Sequence, residues 1–320
     1  MPEGVEIDHK SPLAGVMAGY AEQVLICTGR DDWASRIEEE NSGDNLAADL
    51  KELLGRGGIY SDPFNVVSVL NASFPCTPLP RTEVLNASAY LLPSFKYVPY
   101  LPRVSFDSVR MLVQGFLLPT KLHSAHAGLS PVHRDRLTRV PLAAQALPGV
   151  CHVRDVLVLI CGHGGRDGRC GIMGPVLRDE FIDKLARAGF DVRRGPISPP
   201  QGEKEENASA NLQVPEQRAT KPDSGQTAMD LAAHESKTGA RVGLVSHIGG
   251  HKFAGNVIIY LPPGLLRDGL AHPLAGHGIW YGRVEPRHVE GLVDETLLKG
   301  RIVLDMMRGG IDAQRQILRP

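Results

Sequence analysis

The sequence has few cysteines, few aromatic residues and no surplus of charge of either sign. Its 320 residues include 5 Cys and 2 Trp, and 35 Lys and Arg stand against 36 Asp and Glu. This near balance of charge excludes a bulk electrostatic attraction to nucleic acid or to an anionic membrane. Five cysteines are too few to form a disulfide scaffold in a chain of this length, and they favour a reducing compartment.

Long hydrophobic runs and targeting segments are also missing. No apolar stretch approaches the ~20 residues that a spanning helix needs, so we expect no membrane span. The first ten residues lack both the apolar centre of a secretory signal and the Arg- and Ser-rich character of a transit peptide. The sequence contains neither a Gly-x-x-x-x-Gly-Lys-Ser/Thr phosphate loop nor a Gly-x-Ser-x-Gly nucleophile turn, which leaves its rarer side chains as the carriers of function.

What is present favours two α/β domains. At roughly 150 residues per domain, the length allows about two, and 42% hydrophobic content is typical of globular chains. Short apolar runs such as 23–27 alternate with amphipathic stretches such as 108–117, which favours a layered α/β architecture. The strongest buried strand candidate, 155–160, opens a second pattern of this kind. An amphipathic helix is expected from beyond Gly171 to Ala188, and its inward-facing residues are Met173, Val176, Leu177, Phe181 and Leu185.

Composition also indicates where the domains end. We assign 1–20 to an N-terminal tail, 21–120 to a first domain, 121–150 to a connector rich in His, Arg and Pro, and 151–320 to a second domain. Within the second domain, 194–239 is rich in proline and charge and nearly devoid of large apolar residues. Such a segment cannot bury enough surface to offset its ordering entropy, so we expect a disordered insertion.

Four potential metal ligands follow two predicted strands of the second domain. Eight residues separate Cys161 from Cys170, and three separate His247 from His251, and both pairs lie in glycine-rich segments. Sites in open α/β sheets form at the carboxyl ends of the strands. Two thiolates and two imidazoles can hold zinc, or a [2Fe–2S] cluster with cysteines on one iron and histidines on the other. Zinc is disfavoured because its paired cysteines are usually ~2–4 residues apart.

The segments around these residues resemble a known family. CGHGGRDGRCG (161–171), HIGGHKFAGN (247–256) and WYGRV (280–284) are similar to motifs of the sucrase/ferredoxin-like family, and MRGGI (307–311) resembles its fungal branch. The similarity is strong over 155–189 and 241–311 and fainter over 21–117. The resemblance implies two thioredoxin-like domains, the C-terminal one a thioredoxin-like [2Fe–2S] ferredoxin. The ligands that it implies are Cys161, Cys170, His247 and His251.

The same resemblance suggests a function and a location. It implies an electron carrier, a redox sensor or a factor in thiol redox quality control, rather than a classical enzyme, with a redox protein as its partner. It also implies a mitochondrial location, with the cytoplasm as the alternative, and a start that is truncated relative to the longer leaders of family members. A glycosidase is not indicated, because no spaced carboxylate pair can be identified.

Polar residues next to the four candidates are expected to surround the sulfur and imidazole groups. The alternative is that these residues are solvated side chains of the loops and do not contact the site. The candidates are His163, Arg166, Asp167, Arg169 and Lys252.

Two other functions stay open. A thiol–disulfide oxidoreductase would use Cys27, Cys76 or Cys151, although Cys27 has no Cys-x-x-Cys partner and Cys76 is expected in an exposed loop. A structural zinc module would use the same four ligands to build a binding platform.

Overall fold

The computed structural model describes residues 5–41, 44–79, 84–199 and 237–320. The strands in these ranges are β1 (Glu22–Cys27), β2 (Val67–Ala72), β3 (Asn86–Leu92), β4 (Lys96–Pro102), β5 (Cys151–His152), β6 (Val156–Cys161), β7 (Asp191–Val192), β8 (Gly239–Val245), β9 (Val257–Tyr260), β10 (Leu266–Arg267), β11 (Leu270–Ala271), β12 (Gly278–Tyr281), β13 (Met307–Ile311) and β14 (Ile317–Leu318). The helices are α1 (Leu46–Leu54), α2 (Asp107–Leu112), α3 (Pro131–Leu137), α4 (Pro141–Gln145), α5 (Gly168–Arg187) and α6 (Pro286–Leu292).

Shorter helical turns extend or connect these elements. π-helical turns at Val113–Leu117 and Val293–Leu298 continue α2 and α6, so the helix expected over 108–117 is present. Single 3₁₀ turns lie at Ile37–Glu39, Ser124–His126, His251–Phe253 and Leu304–Met306.

Twelve of the described strands form one mixed sheet, which confirms the predicted mixed α/β class. The order is β14-β13-β12-β9-β6-β8-β2-β1-β3-β4-β5, with β7 beside β8. In the first half, β1 is parallel to β2 and antiparallel to β3, which is antiparallel to β4. In the second half, β6 is parallel to β8 and antiparallel to β9, which is antiparallel to β12. The halves therefore repeat one strand order, and they meet where Ala72 of β2 pairs with Val245 of β8.

The strand β6 is buried over its whole length. All six of its residues are buried, as expected for a continuous apolar run that is covered on both faces. It pairs with β8 over its whole length, from Val156 opposite Ala240 to Cys161 opposite Val245. The sheet register therefore fixes the position of Cys161 relative to the end of β8.

The helix α5 begins earlier than its sequence pattern predicts. The side chain of Asp167 accepts a hydrogen bond from the Arg169 N–H at 3.1 Å and caps the helix, so the first turn opens at Gly168. Cys170 therefore lies in the first turn of a helix and not in a loop, and the start predicted beyond Gly171 is wrong.

One residue predicted on the inner face of α5 is also misplaced. Met173, Leu177, Phe181 and Leu185 are buried at a spacing of four residues, whereas Val176 is 39% exposed. Val176 lies at the edge of that buried stripe, on a part of the helix surface that is not covered by the core.

The segment that precedes β1 packs against the second half. Val5 and Ile7 contact its core, and Leu13 is buried. The Arg283 guanidinium holds the segment in place by donating to the carbonyls of Asp8 and Ser11, both at 2.6 Å. The N-terminal segment therefore reaches the edge of the sheet at which β6 and β8 end.

Two parts of the predicted organisation concern connections. Most of the insertion predicted over 194–239 lies outside the described residues, and Gly239 already belongs to β8. The connector predicted over 121–150 carries α3 and α4, each of which begins with a proline in its first turn.

None of the helices in the described ranges combines the length and the apolar character that a membrane crossing requires.

Candidate metal centre

The four predicted ligands are positioned by the ends of two neighbouring parallel strands. β6 ends at Cys161, and β8 ends at Val245, directly opposite it. The segments 162–167 and 246–251 leave these strands at the same edge of the sheet, because parallel strands end on the same side. Cys170 returns to this edge in the first turn of α5.

The two cysteines are deeply buried and in contact with each other. Each has 1% of its surface exposed. Hydrogen bonds from the Cys170 thiol, the His247 side chain and the backbone N–H groups of His163 and Ile248 hold the pKa of Cys161 well below its usual value, although burial acts in the opposite direction. The pKa of Cys170 is raised by its hydrogen bond to Cys161 and by desolvation. The surroundings therefore favour the negative charge on the Cys161 sulfur.

The two histidines lie on the solvent side of these sulfurs. His247 is half-buried and His251 is exposed, and their ring centroids are 5.5 Å apart. The Nδ1 atom of His247 is shielded from solvent and has no hydrogen-bond partner within the described residues. A buried polar atom without a partner is rare in folded proteins and points to a ligand.

His163 supports the segment that carries His247 and His251. It is almost fully buried, and its Nδ1 accepts a hydrogen bond from the His247 backbone N–H at 2.9 Å. Its Nε2 lies 2.9 Å from the carbonyl oxygen of Ala34 and 3.2 Å from that of Trp33. Since Nδ1 is the acceptor, Nε2 carries the proton and donates to these carbonyls. His163 thus links the first half of the molecule to the backbone of a ligand candidate.

The other four neighbours predicted around the ligands are held by other groups. Asp167 pairs with Arg169 at 2.9 Å while it caps α5. The exposed Arg166 reaches Ser35 at 3.4 Å. Lys252 pairs with a carboxylate of the N-terminal segment, Asp8, at 3.2 Å.

Sequence reasoning did not identify Arg308 as part of this centre. This residue of β13 is 2% exposed, and its Nη1 donates to Asn256 Oδ1 at 2.8 Å and to the Gly249 carbonyl at 3.3 Å. Burial lowers the pKa of Arg308 to about 10, and the charges of Cys161 and Cys170 act in the opposite direction. The MRGGI motif contained this residue, but no local pattern indicates which distant loop its side chain reaches.

The three remaining cysteines lie elsewhere, and all five are free thiols. Cys27 is buried at the end of β1, and desolvation raises its pKa well above the usual value. Cys151 is half-buried in β5, and desolvation raises its pKa as well.

Cys76 is not in an exposed loop, and that expectation is wrong. It is half-buried, and its sulfur lies 3.1 Å from the Ser88 hydroxyl and 3.3 Å from the Asn86 carbonyl. Desolvation raises its pKa.

The types of donor present match the ligand set of a mixed [2Fe–2S] cluster. Within the described ranges, no three His, Cys, Asp or Glu side chains already converge as ligands of one metal ion. The candidates instead form a thiol pair, Cys161 with Cys170, and an imidazole pair, His247 with His251. A [2Fe–2S] cluster of the mixed type needs two cysteines on one iron and two histidines on the other. The unpartnered Nδ1 of His247 supplies a free donor for such a group.

Comparison with known proteins finds similar sequences. The profile of the family described as sucrase/ferredoxin-like matches residues 13–309. A protein of Debaryomyces hansenii is 25% identical over 318 residues, covering 97% of this chain and 90% of the relative, and one of Saccharomyces cerevisiae is 30% identical over 327 residues, covering 96% and 81%. A protein of Meyerozyma guilliermondii is 32% identical over 160 residues, which are 50% of this chain and 36% of the relative. All three are named "Altered inheritance of mitochondria protein 32". No solved structure matches the chain.

The conformation of Gly250 yields a test of this geometry. Its φ is +68°, and a Cβ there would lie 2.7 Å from Arg308 Nη2. We expect Gly250→Ala to lower the free energy of unfolding by about 1–2 kcal/mol, because the left-handed conformation is unfavourable for alanine. Urea unfolding of the purified protein measures this change. Gly128→Ala is the matched control, since no atom lies within 4 Å of its added Cβ. Equal losses in the two variants would contradict this account of the segment.

Proposed function

The chain belongs to the sucrase/ferredoxin-like family, and we propose that it is a redox protein that holds a [2Fe–2S] cluster through Cys161, Cys170, His247 and His251. The observation that carries this proposal is the meeting of a buried thiol pair with an imidazole pair at one edge of the sheet. When bound, such a cluster supplies one-electron transfer at a potential that imidazole ligation raises. We propose electron transfer or redox sensing, including thiol redox quality control, as the use of this chemistry.

Each part of the centre has a role in this proposal. The N–H groups of His163 and Ile248 stabilise negative charge on the Cys161 sulfur. His163 fixes the backbone of His247 through the hydrogen bond at 2.9 Å. The sulfurs are shielded, while His251 is exposed, so the histidine side is the side on which a redox partner protein can approach.

We further propose that both halves are thioredoxin-like and that the C-terminal half is a ferredoxin domain. The repeated order of two parallel strands followed by two antiparallel ones supports a common ancestry of the halves. Only the second half carries the Cys and His pairs, whereas the corresponding strand of the first half, β1, ends in Cys27 alone.

Thiol–disulfide chemistry is less well supported than cluster binding. The thiolate is the nucleophile in such exchange, and desolvation raises the pKa of Cys27, Cys76 and Cys151. A structural zinc ion would use the same four ligands. Metal analysis of the purified protein distinguishes this alternative from a [2Fe–2S] cluster.

The direct test is the composition and absorption of freshly purified protein. We expect a red-brown protein with iron and acid-labile sulfide in equal amounts. Cys161→Ala and Cys170→Ala should lose the cluster, because each removes a thiolate ligand, whereas the matched variants Cys27→Ala, Cys76→Ala and Cys151→Ala should keep it. A colourless, zinc-loaded wild-type protein would contradict the proposal.

A separate experiment tests whether His251 is a ligand of the cluster. His251→Cys should keep a cluster but lower its reduction potential, because a thiolate adds negative charge where an imidazole was neutral. Redox titration followed by visible absorption measures the midpoint. The control is His133→Cys, at an exposed position of α3. A bound cluster with the wild-type potential in His251→Cys would show that this histidine is not a ligand.

We also propose that the protein acts in mitochondria, as the name of its relatives suggests. Expressed in yeast with a C-terminal fluorescent tag, it should overlap a mitochondrial stain. A uniformly cytoplasmic signal would favour the alternative location instead.

A further inference from the structure

Arg308 is a buried cation that is bound by neutral acceptors. Its Nε and Nη2 donate to the Val16 carbonyl at 2.9 and 2.6 Å, and its Nη1 donates to Asn256 Oδ1 and to the Gly249 carbonyl. Its guanidinium also lies 5.6 Å from the centre of the Trp280 ring. No carboxylate among the described residues forms an ion pair with it, in contrast to Arg241, which pairs with Asp155 at 2.6 Å.

A buried charge without a counter-charge is costly, so its retention needs a compensating anion. The negative groups that act on Arg308 are the thiolates that Cys161 and Cys170 would form as metal ligands. The guanidinium also packs closely against the backbone of Gly250, where an added Cβ would lie 2.7 Å from Nη2. The cation is thus held against the segment that carries both candidate histidine ligands.

We propose that Arg308 is a positioning residue of the metal centre and its buried counter-charge, and that its charge raises the reduction potential. This inference rests on the proposed function. Reduction takes one electron from an external reductant, such as dithionite, and breaks no bond, so it adds one negative charge to the centre. A fixed positive charge in a poorly solvated site favours the more negative, reduced state.

The same side chain ties together three segments of the chain. It bridges the Val16 carbonyl of the N-terminal segment, the Gly249 carbonyl between the two histidines, and Asn256 just before β9. A lysine would keep the charge but could not make these forked contacts, because its ammonium is a point charge. Charge and geometry can therefore be separated by substitution.

The test compares midpoint potentials of the full-length, cluster-loaded protein in a dithionite titration followed by absorption. We expect Arg308→Gln to lower the potential by at least the equivalent of a tenfold change in the electron-transfer equilibrium, about 59 mV for a one-electron couple. Arg308→Lys should retain most of the wild-type potential. The control is Arg287→Gln, which removes an exposed cation outside the centre.

A second variant keeps the arginine in place. Asn256→Asp keeps the oxygen that accepts from Nη1, removes the amide N–H that donates to the Gly250 carbonyl at 3.0 Å, and adds a negative charge. It should therefore neutralise Arg308 and lower the potential in the same direction as Arg308→Gln. Cluster-loaded Arg308→Gln or Asn256→Asp with the wild-type potential would overturn the inference. Loss of the cluster in Arg308→Gln and Arg308→Lys alike would overturn the counter-charge part of the inference, because lysine keeps the charge and lacks only the forked contacts. A wild-type protein without iron and sulfide would instead refute the proposed function itself.

Discussion

The arrangement of the second half depends on the parallel pairing of β6 with β8. This pairing places Cys161 opposite Val245, so that the sulfur of one strand end and the histidines that follow the other share one edge of the sheet. A register shift of one residue would turn Cys161 to the other face of the sheet and separate the pairs. The two strands keep that register over six consecutive residue pairs, from Val156 opposite Ala240 to Cys161 opposite Val245.

The centre combines a closed side with an open one. Its sulfurs are buried, the N–H groups of His163 and Ile248 donate to Cys161, and the buried Arg308 lies nearby, whereas His251 reaches solvent. In the proposed cluster protein, this division would keep water away from the sulfurs and leave the imidazole edge of His251 open to a redox partner. His163 extends this organisation to the first half of the molecule, since its two nitrogens bind the His247 backbone and the carbonyls of Trp33 and Ala34.

Local patterns predicted the parts of the structure that local interactions determine. The apolar run at 155–160 predicted β6, and Cys161 and the pair His247–His251 follow two strands that are parallel neighbours in the sheet. The start of α5 was misjudged because one capping side chain, Asp167, outweighed the glycines around it. Arg308 was missed because its role depends on pairing of β13 with β12 and on contacts with Val16, which is 292 residues away in sequence. Contacts of that range leave no periodic signal.

The central claim is that two histidine nitrogens and two cysteine sulfurs of this chain ligate one [2Fe–2S] cluster. Pulsed electron paramagnetic resonance of the dithionite-reduced protein, labelled with ¹⁵N-histidine, tests that claim most directly. The account predicts a paramagnetic cluster coupled to two histidine nitrogens, one of which disappears in His251→Cys. A reduced protein with no cluster signal, or with a signal that shows no coupling to histidine nitrogen, would contradict it.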